Sequence, residues 1–595
     1  MEDLQEKILR LEEEISKLPV GYISRKNIKG TIRQYHQWTE NGEKKSKYMD
    51  DATAAVMAEQ IAKRKELQQE LKTAKALLPK KRKNSNVENI SFKTNVLLGG
   101  KLHSFIQRAT SLKNRPCLQN LESFLTSEIQ SRVFILFGLR RTGKTTLIQQ
   151  AISRLNSNQF EKSAFLQVSP GNTMADVNQD MKSLQSQGFK YVFLDEVTLL
   201  EDFIDGAALF SDIYAACGMK IVLSGTDSLG FLFSADDQLY DRCELLHTTF
   251  IPYGEFEGVL GIKGIDEYIR YGGTMSLGGV HYNSYSTFSS KESTDEYIDS
   301  AISKNIQHSL KFYQNEGHFR HLQELYEKGE LTSAINRIVE DINHRFTIDV
   351  LERDFVSHDL GISAQNLRRD RNQPNDILDH IDKKLFTQEL KNALEILNRN
   401  EQTVKIRDIH YIEIKEYLDL LDLTVDIKVE TIPVSNEKKY QTVISQPGLR
   451  YSQAEAFIRQ LLKDENFQNI SAIERKRIID RILDEIKGRM MEEIVLLETK
   501  KAQPKKEVFK LKFAVGEFDM VVCDPENVTS ELYEIKHSVE AVPQQYRHLV
   551  DEQKCKYTAF RFGEIIRKSV IYRGETKKIG EIEYINVEEY LNELW

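Results

Sequence analysis

Long apolar runs are missing. Nowhere in the 595 residues do about 18 consecutive apolar residues occur, and the stretch MEDLQEKILRLEEE at the start has no apolar signal region, so the sequence predicts no membrane contact and a cytoplasmic protein. Cysteine is scarce as well. Cys117, Cys217, Cys243, Cys523 and Cys555 stand without a pairing pattern or a zinc-like spacing, which excludes a disulfide framework and a structural zinc site and predicts buried free thiols in a reducing compartment. Excess charge of one sign is also lacking. With a net charge of −8 and 29% charged residues, bulk electrostatics neither demands nor excludes nucleic acid, and any such contact has to come from local basic surface. No internal repeat is visible.

What is present is length. At roughly 100 to 200 residues per domain the chain should hold about three to five. Leu4, Ile8, Leu11, Ile15 and Leu18 recur at steps of four and three, predicting a coiled-coil helix, and DATAAVMAEQIAKRKELQQELKTAKALL at 51–78 predicts a second helix. Lys-Gly and Asn-Gly pairs between β-rich runs predict a small meander between them, making a helix-hairpin-helix arm. Its strands carry Arg25, Lys26, Lys29, Arg33, Lys44, Lys45 and Lys47 beside Tyr22, Tyr35, Trp38 and Tyr48. Two readings stay open: a surface that stacks on bases and holds phosphates, or a solvated hairpin whose aromatics pack against the helices. Lys80, Lys81, Arg82 and Lys83 open a polar linker.

From about residue 96 apolar strands alternate with helices, the pattern of a parallel α/β sheet covered on both faces. VFILFGLRRTGKTTLI, 133–148, sets a buried strand before Gly138, Arg141, Thr142, Gly143, Lys144, Thr145 and Thr146, and a helix after. Glycines let backbone N–H groups wrap phosphates, Lys144 neutralises the terminal ones, and the Thr145 hydroxyl suits magnesium. The strand YVFLDE, 191–196, ends in Asp195, expected to hold that magnesium, and Glu196, expected to polarise the attacking water. ATP hydrolysis is therefore expected. In IVLSGTDS, 221–228, Ser224 or Thr226 could read the γ-phosphate.

GLRRTGKTT, YVFLDE, IVLSGT, Arg242, IPYGEF and YIRYGGT occur in an order that resembles a prokaryotic, archaeal-type branch of AAA+ ATPases whose members commonly end in a PD-(D/E)XK nuclease-like domain. The likeness covers residues 96–595. It implies a P-loop AAA+ core at 96–262, a helical lid at 263–330, a winged-helix-like region at 331–450 and a restriction-endonuclease-like α/β domain at 451–595, after an arm and linker at 1–95. The run DLGISAQNLRRD resembles the winged-helix element, and QPGLRYSQAEAFI, 446–458, resembles the entry into the last domain. The resemblance also makes Arg242 a candidate to stabilise developing phosphate charge, in trans if the chain self-associates; the plain alternative is an ion pair with Asp241 or Glu244.

Glu-Ile-Lys occurs three times, at 413–415, 485–487 and 534–536. The first two lie in helical patterns, where residues two apart face different ways. The third lies on a strand, where they share a face, so only Glu534 and Lys536 can converge, with Asp519 on the neighbouring strand. Two adjacent carboxylates repel unless a cation lies between them, so Asp519 and Glu534 are read as ligands of Mg²⁺ or Mn²⁺ and Lys536 as the group that positions the attacking water. In the core that the resemblance implies, an acid on the preceding helix completes the site, and spacing from Gly488 selects Glu492, with Glu493 as fallback. The expectation is an ATPase whose nucleotide state gates a metal-dependent nuclease acting on DNA. The alternative is a signalling or scaffold ATPase whose tail only binds a protein or nucleic-acid partner.

Overall fold

A computed structural model describes the chain apart from residues 1–9, 12–13, 16, 29–30, 41–42, 78–90, 201, 227–229, 233–234, 236–238, 276–286, 313–318, 357–405, 435–438 and 461–470. The chain divides into two units, residues 1–91 and 92–595, each taken by itself.

In the first unit the β-branched and aromatic residues between Tyr22 and Met49 form β1 (Tyr22–Ile28), β2 (Thr31–Glu40) and β3 (Glu43–Met49), an antiparallel sheet in that order. Helix α1 (Asp51–Leu77) follows; Asp50 accepts the Thr53 N–H at 2.8 Å and starts it. Leu11, Ile15, Met49, Ala54 and Ile61 are buried, and Arg64 of α1 donates to the carbonyls of Ile15 and Leu18. The described part of the predicted N-terminal stripe thus packs against α1 within one chain. Leu4 and Ile8, and the linker Lys80 to Lys83, lie outside the described residues.

The second unit begins with a six-stranded sheet: β4 (Asn95–Leu97), β5 (Val133–Phe137), β6 (Ser163–Gln167), β7 (Tyr191–Asp195), β8 (Lys220–Gly225) and β9 (Cys243–His247), in the order β4-β6-β7-β8-β5-β9. All but β4 run parallel. β5 reads VFILF and is buried along its whole length because helices cover both faces, so no polar alternation is needed. Helices α2 (Lys144–Ser153), α3 (Tyr253–Leu260) and α4 (Ile265–Tyr271) flank or follow this sheet. Helices Lys291–Tyr297, Arg320–Glu327, Leu331–Val356 and Asp408–Leu420 then share a separate apolar core around Tyr297, Ile335 and Tyr417. The expected winged-helix run DLGISAQNLRRD lies outside the described residues.

A second sheet has eight strands: β10 (Thr424–Ile432), β11 (Lys439–Ile444), β12 (Glu507–Phe513), β13 (Glu517–Asp524), β14 (Thr529–Lys536), β15 (Glu564–Tyr572), β16 (Lys577–Ile579) and β17 (Ile582–Asn586), ordered β11-β10-β12-β13-β14-β15-β17-β16. Helices α5 (Pro447–Gln460), α6 (Ala472–Ala502) and α7 (Val587–Glu593) accompany it. β10 pairs in parallel with β12, so 424–444, read from the sequence as part of a separate winged-helix-like region, supplies two strands of the C-terminal sheet. A boundary at 450 would cut that sheet. Nor is the six-stranded side insulated from it: Tyr253, Phe256 and Tyr268 share one core with Ile494, Val495 and Tyr590. The five cysteines are free; Cys217 is exposed, against the expectation of burial, and the others are half-buried. No helix among the described residues is long and apolar enough to cross a membrane.

Candidate functional site

β5 delivers the chain into the glycine-containing loop. Gly138 has φ 142°, and a Cβ there would stand 2.6 Å from Thr248 Oγ1 and 3.0 Å from the Thr249 nitrogen, so only glycine fits. Arg141 and Gly143 are also left-handed, at φ 64° and 85°, and the curled loop ends at the N-terminus of α2, where unpaired N–H groups and the helix dipole favour an anion. Lys144 lies buried inside the curl, its Nζ donating to the carbonyls of Gly138 at 2.8 Å and Leu139 at 2.9 Å. Burial lowers its pKa to about 8 against the opposing charges of Glu196 and Asp195.

Thr145, the next residue, donates from Oγ1 to Asp195 Oδ2 at 2.9 Å. β8 lies between β7 and β5, which brings Ser224 to Asp195, and its hydroxyl donates to Asp195 Oδ1. Glu196 follows in a left-handed turn at φ 58°, with Thr226 Oγ1 3.4 Å from its carboxylate. Burial, and then the charge of Asp195, raise its pKa, while Lys144 and Arg140 pull it down. A carboxyl held above its usual range beside a phosphate cradle is suited to accept a proton from water. Thr146 is half-buried on α2. Thr142 faces inward, its hydroxyl donating to Leu139 O at 2.9 Å and 2.8 Å from Thr248 Oγ1, which braces the loop. The Arg141 guanidinium donates to Thr287 Oγ1 at 3.2 Å.

Sequence reading missed Arg115. Buried beside the loop, it pairs with Glu255 of α3 at 3.2 Å and donates to the carbonyl of Thr142, so it ties the phosphate loop to the helix after the sheet. A single arginine in the run KNRPC carries no motif that could have marked it.

Arg242 departs from one expectation. It precedes β9, and its carbonyl accepts the Val133 N–H at the start of β5, whereas the phosphate loop leaves the other end of β5. Five strand residues, about 16 Å, separate the two ends, so Arg242 cannot reach the nucleotide of its own chain. Its ion pair is with Asp212, while Asp241 pairs with Arg132 at 3.1 Å.

On the second sheet, β13 and β14 pair antiparallel with Met520 opposite Tyr533, and extending that register sets Asp519 opposite Glu534. Lys536 Nζ is 2.7 Å from Asp519 Oδ2 and 2.7 Å from Glu534 Oε2, and the Ile535 N–H donates to Asp519 at 2.8 Å. The carboxylates are 5% and 3% exposed and Lys536 33%. Burial, then the charge of Asp519, push the Glu534 pKa well up against the pull of Lys536. Burial works against the Lys536 charge, but Asp519, Glu534 and Glu492 outweigh it and keep the ammonium protonated. The ammonium therefore lies where the sequence reading puts a cation. Glu534 Oε1 is buried with no hydrogen-bond partner among the described residues.

Glu492 of α6 faces this cluster but is taken up by Arg489 and by Lys510, the latter at 2.9 Å; these cations outweigh burial and hold its pKa at about 2. Glu493 points elsewhere, onto the buried Arg450 and Gln441. As it stands the cluster offers two carboxylates, not three, because Lys510 and Arg489 neutralise the third; among the described residues no three His, Cys, Asp or Glu gather as a metal-holding group. The other Glu-Ile-Lys triplets lie on helices, at Asp408–Leu420 and Ala472–Ala502.

Residues 130–257 match the family model described as AAA domain. That segment is an AAA-type ATPase domain, a class that uses ATP, typically with Mg²⁺. No curated protein matches the chain. Among solved structures, a chain in the structure of the Aeropyrum pernix ORC1 protein in complex with DNA is similar at 14% identity over 63% of this chain and 100% of that one, with a TM-score of 0.23, too low to bear on fold or ligand.

Proposed function

We propose that the chain hydrolyses ATP at the loop between β5 and α2, and that its nucleotide state gates a metal-dependent nuclease site for DNA on β13 and β14. Gly138, Gly143 and the α2 N-terminus wrap the phosphates, Lys144 leaves its two carbonyl partners for them, and Thr145 and Asp195 hold magnesium, which supplies charge neutralisation. Glu196 takes the proton of the attacking water, and Ser224 senses the terminal phosphate through Asp195. Arg242 acts, on this reading, only on a neighbouring copy.

At the second site Asp519 and Glu534 hold Mg²⁺ or Mn²⁺, and Lys536, displaced from between them, orients the water. Glu534 Oε1, which has no hydrogen-bond partner among the described residues, supports the fit: a buried carboxylate oxygen without a donor is one that a cation would satisfy. One observation carries the gating. Residues 266–275 touch both sites: the Met275 N–H donates to the Arg141 carbonyl of the phosphate loop at 2.8 Å, and Asp266 lies 2.7 Å from His537, next to Lys536. ATP hydrolysis controls access and does not make the cut.

The near-complete burial of both carboxylates, with Lys536 already balancing them, favours a second reading, a tail that only binds a partner. ATP turnover tests the first half. Lys144→Ala and Glu196→Gln are expected to lower it by about 100-fold or more with the fold intact, and unchanged turnover in both refutes the site.

A further inference from the structure

Residues 291–312 run as one helical stretch, made of Lys291–Tyr297, a wider π-helical segment Ile298–Ser303 and Lys304–Phe312. It meets the ATP site described above at two points. At the first, the buried Tyr297 donates its hydroxyl to the Arg140 carbonyl of the phosphate loop at 3.4 Å and accepts from Gln446 Nε2 at 2.9 Å. At the second, about two turns on, the buried Asn305 donates from Nδ2 to the Thr226 carbonyl at 2.6 Å, where the chain leaves β8. One element thus holds both the loop and the strand end beside Glu196.

The Asn305 amide is fixed at both ends. A carbonyl only accepts, so the amide nitrogen has to face Thr226, and its oxygen then accepts the Tyr417 hydroxyl at 3.3 Å. Tyr417 is itself buried, 5.6 Å from the Phe319 ring and with its hydroxyl 2.5 Å from Ser309 Oγ. Anchoring the Thr226 carbonyl sets the peptide plane that follows it, and with it the stance of the side chain whose Oγ1 lies 3.4 Å from Glu196. That contact is long, as such contacts are before substrate tightens them. We infer that Asn305 is a positioning residue for ATP hydrolysis: it holds the end of β8 so that the Thr226 hydroxyl meets Glu196, and it is carried by the same helical stretch that grips the phosphate loop. This rests on the reading that ATP is hydrolysed at that loop. Asn305 acts through Thr226 and touches no reacting atom. A plain brace between helices and sheet would have the same bonds, so stability alone does not separate the two.

The test is ATP turnover by the full chain, counted per nucleotide-binding site from a binding titration, in Asn305→Leu, Tyr417→Phe, Thr226→Val and the double variant Asn305→Leu with Thr226→Val. Asn305→Leu is expected to lower kcat per site about tenfold or more while KM for ATP stays within about twofold. Tyr417→Phe, which frees the amide oxygen, is expected to lower it less and in the same way. The double variant is expected to be no slower than Thr226→Val alone, because both changes remove one interaction. Should Asn305→Leu fail to fold, the same comparison with Tyr417→Phe in its place decides. Unchanged kcat per site in Asn305→Leu while Lys144→Ala abolishes turnover, or losses that multiply in the double variant, overturn the role of Asn305 and leave the ATP site standing. Unchanged turnover in Lys144→Ala overturns both.

Discussion

His537 Nε2 lies 2.7 Å from Asp266 Oδ1, and Arg573 closes on the same carboxylate at 3.0 Å. Asp266 is in the first turn of α4, whose far end runs through Gly272 and Gly273 to the hydrogen bond between Met275 and the phosphate loop; His537 follows Lys536 directly. Burial would favour the neutral acid, but His537, Arg573 and Lys487 outweigh it and keep the Asp266 carboxylate ionised. A shift of the phosphate loop that moved α4 would therefore drag the backbone beside the acid–lysine cluster.

Asp266→Ala should cut this link while leaving every residue assigned to either site in place. The expected result is ATP turnover within about twofold of wild type and a C-terminal activity or partner affinity that no longer responds to nucleotide. The same assay run with ADP and with a non-hydrolysable ATP analogue checks it; a preserved nucleotide response shows that coupling runs elsewhere.

Lys144 should make ATP binding proton-linked. With a pKa of about 8 in the free protein, roughly half of its side chains are neutral at pH 8, and a bound triphosphate favours the charged form. Binding is expected to take up about half a proton per ATP at pH 8 and as much as about nine-tenths at pH 9, read from calorimetry in buffers of different ionisation enthalpy. Absence of uptake across that range in wild type counts against the buried position of Lys144.

Glu498 joins the two halves. It accepts the Tyr253 N–H at 2.7 Å and Trp595 Nε1–H at 3.3 Å, and burial raises its pKa to about 8. Because the folded chain holds this proton and the unfolded chain releases it near 4.5, its contribution to stability is complete below about 4.5 and is lost as pH rises through about 8. Glu498→Gln is expected to flatten the fall in Tm between pH 5 and 8 by a few degrees. An unchanged pH profile in the variant contradicts a buried acid at this position.

Arg115→Ala should be costly, since it leaves Glu255 buried and unpaired: about 3–5 kcal/mol. Pairing it with Glu255→Gln should recover much of that stability in a denaturant titration while ATP affinity stays weakened, because the tie to the Thr142 carbonyl is still missing. Full recovery of affinity would mean that the tie does not shape the loop.

Local pattern was enough to read much of this molecule. Strand before loop before helix located β5 and α2, and the period of a strand against that of a helix picked the third Glu-Ile-Lys, because those signals lie within a few consecutive residues. Where pairing is distant, the sequence was silent. β10 joins β12 across some 80 intervening residues, Asp266 meets His537 from 271 positions away, and Arg115 finds Glu255 across 140. No periodicity encodes such meetings. The capture of Glu492 by Lys510 and Arg489 was invisible for the same reason: a motif names the acid but not the cations that fold against it.

The most direct measurement is cleavage of duplex DNA, single-stranded DNA and RNA by the purified chain in Mn²⁺, with and without ATP, beside Asp519→Ala and Lys536→Ala. Cleavage of DNA that needs the metal, changes with nucleotide and disappears in both variants is the expected result. No cleavage of any substrate by a wild-type chain that turns over ATP, or cleavage that persists in both variants, contradicts a nuclease at Asp519 and Glu534 and leaves the binding-only tail in its place.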